Sequence, residues 1–235
     1  MEEGGSIRGK LKQLPGLRST YYLAMVLRQM VEDQWKSPSS YDQVFTASED
    51  PWESGSEREK LRFATTLAVL SASGRDRFAT AVELGCAEGI FTTMLAPMCE
   101  RLEALDFSEV ALSRARRTLE GHSNVSFRKW DMRHEPLSGT WDLVVAMGVI
   151  TSLYRPRDVR KVSAGVVNAV KPGGFLLFSD VRQSGVFETA WWGPLMLRGG
   201  EQIRRHLTSL PDLELVRSAD TDSHVFALYR RRALP

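Results

Sequence analysis

Glu83, Gly85 and Gly89 sit at the seam of "TAVELGCAEGIFTTML", where an apolar run gives way to a helical period. Glycine at 85 allows a sharp turn and lets a ligand approach the backbone with no side chain in the way. Gly89 falls in the first turn of the helix, where unpaired backbone N–H groups attract anionic or electron-rich ligand groups. Asp106 ends the next apolar run, "RLEALD". A carboxylate there is placed to accept hydrogen bonds from both hydroxyls of a ribose. Together these residues point to nucleoside recognition. A dinucleotide cradle would want Gly-x-Gly-x-x-Gly, and positions 87 and 90 are Ala and Ile.

The elements that position them alternate. Strand-like runs are "TAVELG", "RLEALD", "VSFRKWD", "WDLVVAMG" and "GGFLLFSD", separated by helix-like runs at Gly89 to Cys99, Ser108 to Glu120 and Pro156 to Val170. Alternation of this kind implies a parallel sheet with helices on both faces, binding ligands beyond the carboxyl ends of its strands. After the helical "EQIRRHLTSL", the stretch "LELVRSADTDSHVFALYRR" gives two strands joined too closely for a crossover helix, hence an antiparallel hairpin. The fold class is α/β, a doubly wound, Rossmann-like, seven-stranded sheet with an N-terminal helical extension. Upstream, Glu57 to Ala72 is a helix with one apolar face, and the Ser/Pro/Asp-rich Lys36 to Ser56 reads as a loop or lid.

With 235 residues, 43% hydrophobic and 26% charged, the chain is large enough for one such domain with peripheral structure. A net charge of +2 argues against a nucleic-acid partner. Two cysteines, Cys86 and Cys99, fit neither a zinc knuckle nor a disulfide framework, and no metal is expected. A reducing cytoplasm is the natural location. The N-terminal segment lacks the order of a signal peptide, and its apolar run, Tyr21 to Val31, is too short to span a bilayer. It reads as an amphipathic helix after Arg8, Lys10, Lys12 and Arg18. Two roles stay open for it, packing on its own domain or a second subunit in a homodimer, and peripheral contact with an anionic membrane.

"VELGCAEGIFT" with Asp106, "WDMR", "WDLVVAMGVI" and "VKPGGFLLFSD" resembles the class I S-adenosylmethionine-dependent methyltransferases, over roughly Tyr41 to Tyr229. The family turn motif is Glu-x-Gly-x-Gly-x-Gly, met here by Glu83, Gly85 and Gly89, with Ala87 at the central glycine. Within that class, "DPWESGSEREKLRFATTLAVL" is similar to the NodS-like N-methyltransferases through Asp50, Pro51, Trp52, Ser56, Glu59, Thr66, Leu67 and Leu70. Arg58 stands for an aromatic, and Arg62 and Phe63 for a basic–aromatic pair. The resemblance implies S-adenosylmethionine as cofactor, held by the turn Glu83, Gly85, Cys86, Ala87 and Gly89. It places Glu83 near the methionyl ammonium, Asp106 with Phe107 at the ribose, Asp131 at the adenine amine and Met132 along the ring. Met147 and Gly148 close the fourth strand where sulfonium and acceptor would meet.

Trp52 lies outside any apolar period and is placed either to close over the cofactor or to anchor a helix; Tyr41 is a weaker candidate for the same roles. Candidates for a catalytic base are Asp180 and Tyr154, which follow strand ends on the ligand side. No His has zinc spacing or a catalytic setting. Three regions follow: a basic, amphipathic helical arm (1–40), a lid loop with cap helix (41–74), and the cofactor-binding domain (75–235). The last carries an acceptor-loop insertion near 184–200, where Trp191 and Trp192 would stack on a sugar or bury against a neighbouring subunit. The expected activity is methyl transfer to N or O of a small acceptor such as a saccharide or glycan precursor. Two alternatives are a methyltransferase-like binding module without turnover and a nicotinamide-dependent oxidoreductase.

Overall fold

A computed structural model describes residues 38–153, 155–182 and 199–233. Tyr154, Trp191, Trp192, the arm up to residue 37 and the insertion from 184 to 198 lie outside the described residues. Seven strands form one sheet, β1 (Phe78–Leu84), β2 (Cys99–Asp106), β3 (Val125–Lys129), β4 (Trp141–Met147), β5 (Val170–Val181), β6 (Leu213–Asp220) and β7 (His224–Arg231). Their spatial order is β3-β2-β1-β4-β5-β7-β6. The first five strands are parallel, and β7 inserts antiparallel between β5 and β6. Because β1 pairs with both β2 and β4, the strand order reverses at β1. A crevice opens there beyond the carboxyl ends.

Side chains alternate across the sheet with a period of two. Val82, Leu84, Val144, Ala146, Leu176, Phe178, Val225 and Ala227 enter one core, with Val159, Val162, Val166 and Val167 of α5 (Pro156–Ala169). Ile203 and Leu207 of α6 (Gly200–Thr208) complete that face. Ala81, Leu143, Val145, Met147, Leu177, Phe226 and Leu228 enter the other core. There they meet Phe63, Val69 and Leu70 of α2 (Glu57–Leu70) and Phe91 and Leu95 of α3 (Ile90–Leu95). Glu83 shares this second face by register, a carboxylate among apolar neighbours.

Local chemistry explains the helix limits. At α2, Ser56 in extended conformation accepts from the Glu59 N–H at 3.3 Å, and Glu57 and Glu59 complement the helix dipole. At α4 (Glu109–Thr118), Ser108 accepts from the Ala111 N–H, with Glu109 in the first turn and Arg116 and Arg117 in the last. Pro156 opens α5, where a missing N–H costs nothing.

The structure departs from the sequence reading in three places. The stretch read as a loop contains helix α1 (Pro38–Ala47), whose apolar contribution is limited to a few residues such as Phe45. The helix after the glycine turn is short, passing at Ala96 into a 3-10 turn containing Pro97. β5 begins at Val170, three residues ahead of the glycine pair read as its start. Among the described residues, no helix is long and apolar enough to cross a membrane.

The hairpin is tied to α6 by Tyr229, fully buried, whose hydroxyl donates to the Arg204 carbonyl and meets the Thr208 hydroxyl, each at 3.0 Å. Tyr229→Phe is expected to lower unfolding stability by about 1 kcal/mol in urea titrations. Ligand binding at the distant crevice should stay unchanged.

Candidate active site

The turn after β1 is bonded to the end of β2. The N–H groups of Gly85 and Cys86 both donate to the Leu105 carbonyl, at 2.7 and 2.9 Å. Gly85 has φ +72°, and a Cβ there would fall 2.2 Å from Val149 Cγ1, so only glycine fits. Asp106 reaches back to this turn. Its Oδ2 accepts from the Ala87 N–H at 3.0 Å and its Oδ1 from the Ser108 N–H at 2.9 Å. Burial pushes the Asp106 carboxyl above its ordinary pKa, against the opposing N–H groups of Ser108, Ala87 and Phe107. Ala87 takes φ +48°, the left-handed conformation that glycine adopts freely.

Gly89 also has positive φ, but it is needed for packing. A Cβ there would meet Leu119 Cδ1 at 2.6 Å and Ala115 at 3.2 Å, and Gly89 does not line the crevice. Gly89 itself sits where α3 lies close to α4, while Ile90 and Phe91 at the helix start border the crevice.

Glu83 is 1% exposed, and among the described residues its Oε2 has no hydrogen-bond partner. Burial raises its pKa to about 7, with the negative Asp106 adding and the nearby Thr92 hydroxyl and Arg62 opposing. The Thr92 hydroxyl is itself buried, close to Glu83, with no partner of hydrogen-bond geometry among the described residues. Arg62 of α2 faces the same space. Its Nη2 pairs with Glu59 Oε2 at 2.6 Å, while its Nε is buried and unpartnered among the described residues. Gly148, at φ +72°, makes room for this guanidinium, since a Cβ would lie 3.1 Å from Arg62 Nη1. Met147 is buried, and its sulfur accepts from the Thr66 hydroxyl at 3.7 Å.

These groups line one cavity of about 800 Å³, within the roughly 300–1,000 Å³ typical of small-molecule sites. Trp52, Glu83, Gly85, Cys86, Ala87, Asp106, Phe107, Asp131, Met132, Met147, Gly148 and Asp180 all border it. Trp52 is 43% exposed and meets Phe45 edge-on at 6.1 Å. Tyr41 borders the cavity and packs edge-on against Phe107 at 4.6 Å. The Cys86 thiol is buried beside Ala104, Leu112 and Ala115. Asp131 accepts from the Arg133 guanidinium and backbone, and it meets His134 Nδ1 at 2.8 Å. Those bonds outweigh its burial and hold its pKa below the ordinary value. Asp180 is committed to Thr151, whose hydroxyl and N–H donate to it at 2.5 and 3.2 Å, and to the Val181 N–H at 2.9 Å.

Sequence reasoning did not single out Arg62 and His224, which border the cavity, or Arg114, which braces residues around it. Arg62 had a signal, its place in the pattern "EREKLRF"; His224 borders the cavity from the hairpin and had none. Arg114 gathers the segment after α1, donating to the carbonyls of Phe45, Ser48 and Glu49 and to Glu88 Oε1 at 2.6 Å.

Comparison with known proteins agrees with this fold. The family model for nodulation protein S (NodS) matches residues 42–205. Nodulation protein S of Rhizobium tropici is 27% identical over 235 aligned residues, covering 89% of this chain and 96% of that protein. Its counterpart in Bradyrhizobium diazoefficiens is 36% identical over 140 residues, covering 58% of this chain and 65% of the other. The crystal structure of the N-methyltransferase NodS from Bradyrhizobium japonicum in complex with S-adenosyl-L-homocysteine superposes with a TM-score of 0.71. It is 26% identical and covers 83% of this chain and 98% of that one.

The left-handed backbone at position 87 generates a prediction. Ala87→Gly relieves the strain but loosens the unfolded chain, so a net stabilisation of about 0.5–1 kcal/mol is expected by chemical denaturation. A loss of stability would mean that the turn does not hold this conformation.

Proposed function

The chain belongs to the nodulation protein S (NodS) family, and we propose on that premise that it transfers the methyl group of S-adenosylmethionine to an amino nitrogen of a small saccharide-containing acceptor. One observation carries the cofactor reading. Glu83, buried, and Arg62, half-buried, are opposite in charge and border one cavity, and each carries a buried polar atom with no hydrogen-bond partner among the described residues. A free amino acid end, with its ammonium and carboxylate, is complementary to that pair. Leaving such groups dry and unpaired is costly, so the cavity favours a zwitterionic ligand that satisfies both.

The remaining residues suit the rest of the molecule. Asp106 would take the ribose hydroxyls, using lone pairs not engaged by Ala87 and Ser108. Asp131 and Met132, after β3, would take the adenine. Trp52, with Phe45 behind it, covers the cavity and restricts water. Bound there, S-adenosylmethionine would supply an electrophilic methyl group to the acceptor nitrogen, the C–S bonding pair staying with sulfur and the nitrogen's proton going to solvent. The protein's own contribution to such an in-line displacement is placement of the two reactants. Family membership favours nitrogen over oxygen, since the superposed relative is an N-methyltransferase. The saccharide part rests on the resemblance alone.

Calorimetry with S-adenosylhomocysteine tests the cofactor reading. Saturable binding is expected, weakened by about 1–3 kcal/mol in Asp106→Ala with native circular dichroism, whereas NAD gives no binding. Saturable NAD binding with no response to the homocysteine nucleoside would reverse the assignment. Labelled S-adenosylmethionine incubated with amino sugars then tests the acceptor. Cofactor binding without label transfer to any of them would favour a binding module.

Glu83 generates a pH prediction. Its folded pKa of about 7 lies above the ordinary 4.5. Between those values the folded state binds more protons than the unfolded state, so ligand-free stability falls as pH rises, by roughly 3 kcal/mol across the window. Glu83→Gln should flatten that fall in thermal unfolding between pH 5 and 8. The same substitution should weaken S-adenosylhomocysteine binding and remove its rise in affinity as pH passes 7.

A further inference from the structure

His224 opens β7 beside the end of β5, pairing across the sheet with Val181 while Val225 pairs with Asp180. It is 4% exposed and borders the cavity on the same wall as Thr151, Ser152 and Asp180. Two bonds with Thr221 set its backbone. The His224 N–H donates to Thr221 Oγ1 at 3.1 Å, and the Thr221 N–H donates to the His224 carbonyl at 2.9 Å. The ring is fixed too, with Nδ1 2.8 Å from the Ser223 hydroxyl. Other polar groups of this wall are already engaged. Asp180 is held by Thr151 and Val181, and the Ser152 hydroxyl donates to the Val149 carbonyl at 2.6 Å. His224 Nε2 has no hydrogen-bond partner among the described residues.

From this geometry, and resting on the methyl-transfer reading above, we propose that His224 is a catalytic residue that accepts a hydrogen bond at Nε2 from the acceptor's amino group and so aims the nitrogen lone pair toward the cofactor side of the cavity. With Nδ1–H donating to Ser223 Oγ, Nε2 carries the lone pair that this role requires. The charged groups facing the ring are Arg58, Glu59 and Arg62 of α2 and Asp180 of β5, with Arg182 just beyond, its backbone N–H bonded to the Ser223 carbonyl. Burial, Arg62 and Arg58 lower the His224 pKa to about 4, so the imidazole is neutral at working pH. Neutrality matters because an amine attacks only after losing its ammonium proton, which passes to solvent. A carboxylate at this spot would stabilise the ammonium and hold that proton on. A neutral imidazole supplies direction without that charge.

The test uses the full chain with labelled S-adenosylmethionine and the glucosamine dimer as acceptor probe. His224→Leu is expected to lower kcat about tenfold, the worth of one hydrogen bond, with S-adenosylhomocysteine affinity unchanged. His224→Gln, which keeps a neutral acceptor, should retain kcat within about threefold of wild type. A readout free of turnover is binding of the dimer to the S-adenosylhomocysteine complex as a function of pH. Wild type should bind more tightly as the amine deprotonates, and His224→Glu should reverse that slope. If His224→Leu turns over at the wild-type rate, or if His224→Glu leaves the slope unchanged, the proposal is overturned. Should wild type bind the homocysteine nucleoside yet neither bind nor methylate the dimer, the acceptor reading fails and takes this inference with it. Loss of nucleoside binding in wild type would instead sink the cofactor reading.

Discussion

The carboxylate of Asp106 joins two turns that are far apart in sequence. One oxygen takes the Ala87 N–H from the turn after β1, and the other takes the Ser108 N–H at the start of α4. Without it, both turns would have buried donors with nowhere to go, and the strand ends would lose their common alignment. The connection extends outward, since the Ser108 hydroxyl donates to Asp42 at 2.5 Å and brings α1 against α4. Burying an ionisable group is costly, and here three backbone N–H groups offset part of that cost. The same carboxylate thus shapes the crevice and faces into it.

A second constraint comes from outside the sheet. Helix α2 is not part of the β–α alternation, yet it supplies Arg58, Glu59 and Arg62 to the cavity wall. Its apolar side, through Phe63, Val69 and Leu70, is anchored in the core beneath β4 and β5. The charged side is thereby held over the carboxyl ends of the strands. Gly148 completes the fit by leaving space for Arg62 where any side chain would crowd it. Glu83 and His224 border the same cavity as this guanidinium.

Much of this was legible in the sequence because strand and helix periods differ and strand ends carry recognisable residues. The sheet with its terminal hairpin, the sharp turn at Gly85 and the strand-end acid Asp106 followed from position relative to apolar runs, whereas Glu83 and Asp131 were assigned their roles through the family resemblance. What escaped notice depended on tertiary placement. His224 lies in a hairpin turn, and nothing in "DTDSHVF" reveals that antiparallel pairing with β5 carries it to the crevice. Arg62 was noted only as part of a basic–aromatic pair with Phe63, and it is the burial of Phe63 in the core that turns this face of the helix to the cavity. Helix α1 was hidden by Ser and Asp residues that favour loops, a local preference overridden once Phe45 is buried and Asp42 is bonded to Ser108. Gly89 was read as part of a ligand-attracting helix start, and Leu119 and Ala115 add that its missing side chain matters for helix packing.

Arg114 ties these parts together mechanically. Its guanidinium holds three carbonyls of the segment leading to Trp52 and, with the same head group, the Glu88 carboxylate beside the glycine turn. Cover and floor of the cavity therefore share a hinge pin, and neither can shift without pulling on the other. Removing that one side chain would free four acceptors on two separate segments at once.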